Sequence, residues 1–233
     1  MFSYQVCSVR IHDLLEVDPA RLMAAEGHDK SIPEWVKQQL LATPFVVVRR
    51  GVATGRKIPI GVRGEERNQR WAASCHPTWV RKIITPPQLL QCIVRTSRAQ
   101  AIPALHSLFL LKECWRDFVL PWGPGGSIGF ELATAKPIAE PKSDLDIVIY
   151  AENRIPRDQA KSLCAAAAEI PAALDIRVET PACGFSLKEY SGAGSNSILL
   201  RMPSGGMLGC DPWHDDLRIT EADQPVRSER CQR

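Results

Sequence analysis

Residues Gly123 to Ala135 read GPGGSIGFELATA, and Ser143 to Tyr150 read SDLDIVIY. Side chains are nearly absent from the first stretch where it turns. Glycines at 125 and 126 let backbone N–H groups close on an anion, and the Ser127 hydroxyl adds a donor. Helix-forming residues follow, so the turn opens a helix whose N-terminus favours phosphate. No Gly-Lys-Ser/Thr ends it, as a Walker A loop would require. Ile128 stands where a dinucleotide fingerprint needs its third glycine.

The second stretch reads as a buried strand carrying two aspartates. Alternation puts Asp144 and Asp146 on one face, continued by Val148 and Tyr150, with Leu145, Ile147 and Ile149 on the other. Two carboxylates roughly 6–7 Å apart on one face repel each other unless a cation sits between them. That arrangement suits Mg²⁺ or Mn²⁺ as cofactor, held by one or two carboxylates together with substrate phosphates. A D-x-D alone also occurs at the solvated start of an ordinary strand. Asp175, in ALDIRVET, adds a third carboxylate from a second strand, with Arg177 and Glu179 on the same side by period two. Two adjacent strands could therefore deliver Asp144, Asp146 and Asp175 to one spot, with Glu179 the alternative third carboxylate.

The elements that must position these groups read as follows. VDPARLMAAEG is a short helix with Asp18 as N-cap, and SIPEWVKQQLLA a second with Ser31 and Glu34 in capping-box register. PFVVVRRG and KIPIGVRG are β-rich runs expected to form a hairpin. At helical spacing Arg63, Arg67 and Arg70 in GVRGEERNQRWAA would share one basic face, either solvent-facing or an anion site. TPPQLL opens a helical region running to about residue 118. Its two prolines mark a boundary between a smaller N-terminal α+β domain, 1–85, and a catalytic domain, 86–233. From Trp122 the pattern becomes strand, helix, strand through SDLDIVIY, RDQAKSLCAAAAEI and ALDIRVET, hence an α/β or α+β domain with a mixed sheet. NSILLRM is a further strand.

The G-S turn, D-x-D strand, crossover helix and acidic strand together resemble the nucleotidyltransferase superfamily, which includes DNA polymerase β. Several longer stretches narrow the resemblance: WGPGGSIGFELATA, SDLDIVI, LDIRVETPACGFSLKEY, LLRMPSGGMLGCDPW, and in the front half RIHDLL, PFVVVRRG, IPIGVRGEERNQRWA and TPPQLL. In that order, from about residue 10 to Trp213, the chain is similar to the malonate decarboxylase holo-acyl-carrier-protein synthase family, or phosphoribosyl-dephospho-CoA transferases. One departure is Ala135, where that pattern has glycine.

The resemblance implies a polymerase β-type fold and a donor, 2′-(5″-triphosphoribosyl)-3′-dephospho-CoA. It also implies an acceptor, a serine of the apo acyl-carrier subunit of malonate decarboxylase, joined through a phosphodiester as diphosphate leaves. By that resemblance Asp144, Asp146 and Asp175 would be the catalytic metal ligands, and Gly126 and Ser127 would cradle the triphosphate. Arg63, Arg67 and Arg70, with Arg49 and Arg50, would meet either the anionic donor or the carrier protein.

Bulk numbers agree. The 233 residues are 45% hydrophobic with a net charge of +3, an ordinary globular composition. Residues 1–120 hold seventeen Lys and Arg against ten Asp and Glu, and residues 121–233 twelve against sixteen, so the two parts favour ligands of opposite charge. No apolar run suits a membrane span, no secretory leader is visible, and no nucleic-acid partner is expected. The eight cysteines show no C-x-x-C or zinc spacing, which points to the reducing cytoplasm. Two other readings remain open. Residues 125–129 match G-x-S-x-G, so Ser127 could be a hydrolase nucleophile, although VLPWGP before it is a poor elbow strand. A non-catalytic binding module is the third. His12, in RIHDLL, is expected to order the N-terminal segment through hydrogen bonds.

Overall fold

The computed structural model describes residues 9–26, 32–53, 55–64, 66, 68–92, 94, 96–194 and 196–214. Its architecture is α+β, with two sheets and helices packed on each. The first sheet takes its strands from alternating β-branched runs: β1 Leu14–Val17, β2 Phe45–Val48, β3 Ile58–Arg63, β4 Arg70–Cys75 and β5 Val80–Ile84. They lie in the order β4-β3-β2-β1-β5, every pair antiparallel. Leu15, Val17, Val46, Val48, Ile60 and Val62 turn to one face. There they bury Leu22 of α1 (Pro19–Glu26) and Val36 and Leu40 of α2 (Glu34–Ala42). Each such side chain contributes about 1.5–3 kcal/mol.

Two sequence expectations are corrected in this half. The α2 helix begins at Glu34 behind Pro33, which adopts φ −56° and ψ 143° as N-cap. The proline ring presets that entry, so the cap is not Ser31, which lies outside the described residues. Arg63 and Arg70 sit on no helix. They end β3 and open β4 as a directly paired cross-strand couple, because Gly64 N–H donates to Gln69 O at 3.0 Å and closes a hairpin. Alternation in IPIGVR therefore overrides the helical spacing of the arginines. Arg67 lies outside the described residues.

Helices α3 (Pro86–Leu89), α4 (Thr96–Ala101) and α5 (Pro103–Cys114) lead into the second sheet. That sheet comprises β6 Trp122–Pro124, β7 Leu145–Tyr150, β8 Leu174–Glu179, β9 Gly184–Ser186, β10 Ile198–Met202 and β11 Gly205–Gly209. The order is β11-β10-β9-β8-β7-β6; only β7 and β8 are parallel, joined by α7 (Arg157–Ala168). Helices α6 (Gly126–Thr134) and α8 (Leu187–Gly192) complete this half.

On one face of β7, Leu145, Ile147 and Ile149 are fully buried in a core with Leu105, Leu108 and Leu111 of α5 and Ala160 and Leu163 of α7. The opposite face looks toward the first sheet. The two sheets meet through Leu14, Ile84, Leu89 and Phe130, with Phe45 and Val47 packed against them. Among the described residues, no helix is long and apolar enough to cross a membrane.

Candidate active site

The glycine turn sits between β6 and α6. Gly126 adopts φ 54°, a region costly for residues with a Cβ. A Cβ there would also overlap the Asp146 carboxylate, so glycine is required twice over. Gly125 N–H donates to Asp146 O at 2.9 Å, which pins the turn to the aspartate strand. The far end of α6 is anchored by Glu131, buried at 8% exposure. Arg98 grips its carboxylate at 2.9 and 2.8 Å, and the Ile138 and Ala139 N–H groups donate to it at 3.0 and 2.8 Å. Burial alone would raise Glu131's pKa, but these donors outweigh it and hold the carboxyl below its usual range. Ala135 caps α6 with φ 57°. The departure from glycine thus falls on a left-handed position and costs about 1 kcal/mol.

Asp146 and Asp175 are partners in register across the parallel β7–β8 pair, so both look into the space between the sheets. Asp144, exposed one pleat earlier, adds its field. Burial first, then Asp144 and Asp175, push Asp146's carboxyl up, and Arg177 and Arg63 oppose them. Arg177 donates to Asp175 Oδ2 through Nε at 3.1 Å and Nη2 at 2.8 Å. Among the described residues, no group of three or more His, Cys, Asp and Glu side chains forms a ready-made metal cage.

Glu179, four residues beyond Asp175 on β8, is placed differently. His12 Nε2 lies 2.9 Å from its Oε1, and Arg50 pairs with its Oε2. Burial pushes Glu179's pKa up, but His12 and Arg50 more than offset this and leave it lowered. A Cβ on Gly184 would overlap Arg50 Nη2, so that glycine makes room for the ion pair. His12 itself holds φ 75°. Its turn is kept by His12 N–H to Val48 O at 2.9 Å and by Arg10 N–H to Asp13 Oδ2 at 2.8 Å. Beside it, the Tyr150 hydroxyl donates to Ile11 O at 2.8 Å, and the Arg10 guanidinium lies 4.0 Å over the Tyr150 ring.

These groups enclose a cavity of about 580 Å³ between the sheets. Its cationic wall is Arg49, Arg50, Arg63, Arg70, Arg177 and Arg201, and its acids are Asp146 and Glu179. The turn contributes Gly125 and Gly126. Ser127, at 6% exposure, is buried in the first turn of α6 off the cavity wall, so the donors that the turn itself offers the space are backbone. Of the residues singled out in the sequence, Gly126, Asp146, Arg63 and Arg70 line this cavity, and Asp144 and Asp175 lie beside Asp146. Sequence reasoning put Arg177 on Asp175's face by period two but gave it no role, it passed over Arg201, and it gave His12 no ligand-facing part. No signal existed for Arg201, which reaches the cavity through the β9–β10 pairing.

A cavity walled by arginines, with clustered carboxylates beside a glycine turn, has the chemistry to receive phosphorylated groups, and the chain's relatives are transferases. The chain belongs to the MdcG phosphoribosyl-dephospho-CoA transferase family. The family's C-terminal domain model matches residues 88–212 and its N-terminal domain model residues 10–86. A phosphoribosyl-dephospho-CoA transferase of Pseudomonas aeruginosa is 33% identical, with 91% of this chain and 95% of that protein aligned. One from Klebsiella pneumoniae is 34% identical over 88% of this chain and 96% of its own. Another, from Pseudomonas syringae pv. tomato, is 33% identical over 87% and 92%. No solved structure matches at a significant level.

Proposed function

We propose that the enzyme attaches 2′-(5″-triphosphoribosyl)-3′-dephospho-CoA to a serine of the apo acyl-carrier subunit of malonate decarboxylase. The serine oxygen forms a bond to the α-phosphorus, the bond from that phosphorus to the departing diphosphate breaks, and the hydroxyl proton passes to a neighbouring carboxylate. The observation that carries this reading is the register pair Asp146–Asp175 set against the Gly125-Gly126 turn on the cavity floor. We read the fold as a nucleotidyltransferase fold, with residues 1–85 as the basic partner domain and 86–233 as the catalytic one.

Asp146, with Asp144 and Asp175, would hold Mg²⁺ or Mn²⁺. The fit rests on Asp146, a half-buried carboxylate whose pKa is pushed up by burial and by Asp144 and Asp175 beyond what Arg177 and Arg63 offset. With no protein cage among the described residues, such an ion is one shared with substrate phosphates. When bound it supplies charge stabilisation at the attacking and leaving oxygens. The chain's own residues do the rest. Gly125 and Gly126 leave backbone against the phosphates, Arg63 and Arg70 balance their charge, and Phe130, Val47 and Val148 line the same space with apolar surface. The six described cysteines are free thiols, which suits a cytoplasmic setting.

The test is to incubate the chain with donor and apo carrier. Carrier mass should rise by the phosphoribosyl-dephospho-CoA group, with one diphosphate released per transfer, and excess EDTA should abolish both until Mg²⁺ or Mn²⁺ is restored. Full turnover in EDTA with metal-free reagents would remove the metal from this reading.

A further inference from the structure

The cavity floor is a ladder of three rows running across the strands. The first holds Asp146 and Asp175. Two residues further along, Val148, Arg177 and Ser186 are aligned, and two beyond that come Tyr150, Glu179, Gly184 and Arg201. At ~3.3 Å per residue the first and third rows stand about 13 Å apart. Both ends are cationic. Arg63 and Arg177 act on Asp146 at one end, and Arg50 and Arg201 border the third row at the other. Between them the walls are small and apolar, with Val148 below and Val47, Gly61 and Ala72 above.

Past the third row lies a second hollow of about 240 Å³. It shares Ile11, Val48, Arg49 and Arg50 with the first cavity. Its remaining wall is mostly apolar, including Val9, Ile58, Pro59 and Pro203, with Lys57 as a polar member. Arg50 is committed to Glu179. Arg49 and Arg201 have no acidic partner among the described residues, although each lines the cavity.

Taking the donor class of the proposed function as given, we infer that this second hollow seats the donor's pantetheine arm. Arg49 and Arg201 then hold the 5′-diphosphate that joins the arm to the adenosine. The donor carries two separate phosphate groups, and about a dozen bonds run from its α-phosphorus to the nearer phosphorus of the 5′-diphosphate. Three main-chain bonds reach at most ~3.6 Å, so a dozen reach about 14 Å. That length matches the spacing of the two cationic ends. With the triphosphate against the glycine turn, the diphosphate arrives beside Arg49 and Arg201, and the ribosyl-adenosine lies over the small apolar waist. The arm is a chain of methylenes and two amides that leaves the diphosphate on the far side, and the adjoining hollow offers it an apolar wall. The reverse orientation would carry the triphosphate away from the glycine turn and the carboxylate row and leave the arm no hollow.

The experiment uses the full chain and two probes, dephospho-CoA and ADP, which has the same diphosphate but no arm. Calorimetry should show wild type binding dephospho-CoA at least tenfold more tightly than ADP. Gly51 lines the hollow, and a Cβ there meets only Pro59 carbons at 3.5 and 3.8 Å. Gly51→Leu should therefore fold and fill the space. It is expected to remove the dephospho-CoA advantage while ADP affinity stays within about twofold. Arg201→Ala should weaken both probes about tenfold. Equal binding of the two probes to wild type overturns the inference without any variant, as does a Gly51→Leu protein that keeps the advantage. If such a protein still modifies the carrier, only this subsite is lost. A wild type that binds neither probe and transfers nothing defeats the proposed function and the subsite with it.

Discussion

Asp146 and Glu179 lie on one face of one sheet, on neighbouring parallel strands, and line the same cavity. Their surroundings differ in sign. Glu179 is met by His12 and Arg50 from the first half of the chain. Asp146 is met chiefly by two more carboxylates. Burial pushes both pKa values up, yet Glu179 ends below its usual value and Asp146 above it. A carboxylate satisfied by its own chain is a brace, and Glu179 ties the halves together as Glu131 ties down α6. At Asp146 the arginines Arg177 and Arg63 offset only part of what burial and the neighbouring carboxylates impose, an imbalance of the kind found at ligand sites.

The largest expected effect is at the unsatisfied end. Asp146→Asn keeps the shape and removes the charge, so transfer should fall about a thousandfold or more. The fold should survive. Asp146's pKa is raised in the folded chain, so its ionised form costs stability at neutral pH, and the melting temperature should hold or rise. Turnover and melting measured side by side decide the matter. A variant that modifies the carrier at the wild-type rate would show Asp146 to be a brace as well.

At the satisfied end the effect is on stability. Glu179→Gln leaves the half-buried Arg50 against a neutral partner and should cost about 3 kcal/mol, read from denaturant unfolding. The pH dependence carries the sign. Glu179's folded pKa is depressed, so its contribution is complete above its ordinary value of 4.5 and fades as pH falls through the folded value. The gap between wild type and variant should stay constant above that value and narrow below it. A gap that widens in acid would contradict the assignment. The smallest effect is on binding. Arg63→Ala or Arg70→Ala should raise KM for the donor about tenfold and lower kcat by less. Unchanged kinetics in both would reduce this cross-strand couple to a solvated pair.

The mean pattern of β7 was legible from the chain alone, because side-chain alternation is a local consequence of strand geometry. SDLDIVIY separates Leu145, Ile147 and Ile149 from Asp146, Val148 and Tyr150, and no distant residue can change that. The helix opened by Gly126 and the crossover through α7 follow from turn and helix propensities equally local. The arginine couple was misread, because Arg63 and Arg70 suit a helical face by spacing and a hairpin rung by pairing. Only the closing of Gly64 onto Gln69 selects the second. Which carboxylate stays unsatisfied was decided by tertiary structure alone. Asp146, Asp175 and Glu179 look alike in sequence as acids on strands. Asp175 is held by Arg177 of its own strand, whereas Arg50 and His12, 129 and 167 residues away from Glu179, arrive at Glu179 and not at Asp146. That follows from the docking of the sheets through Leu14, Ile84, Leu89 and Phe130, a long-range packing that no local periodicity encodes.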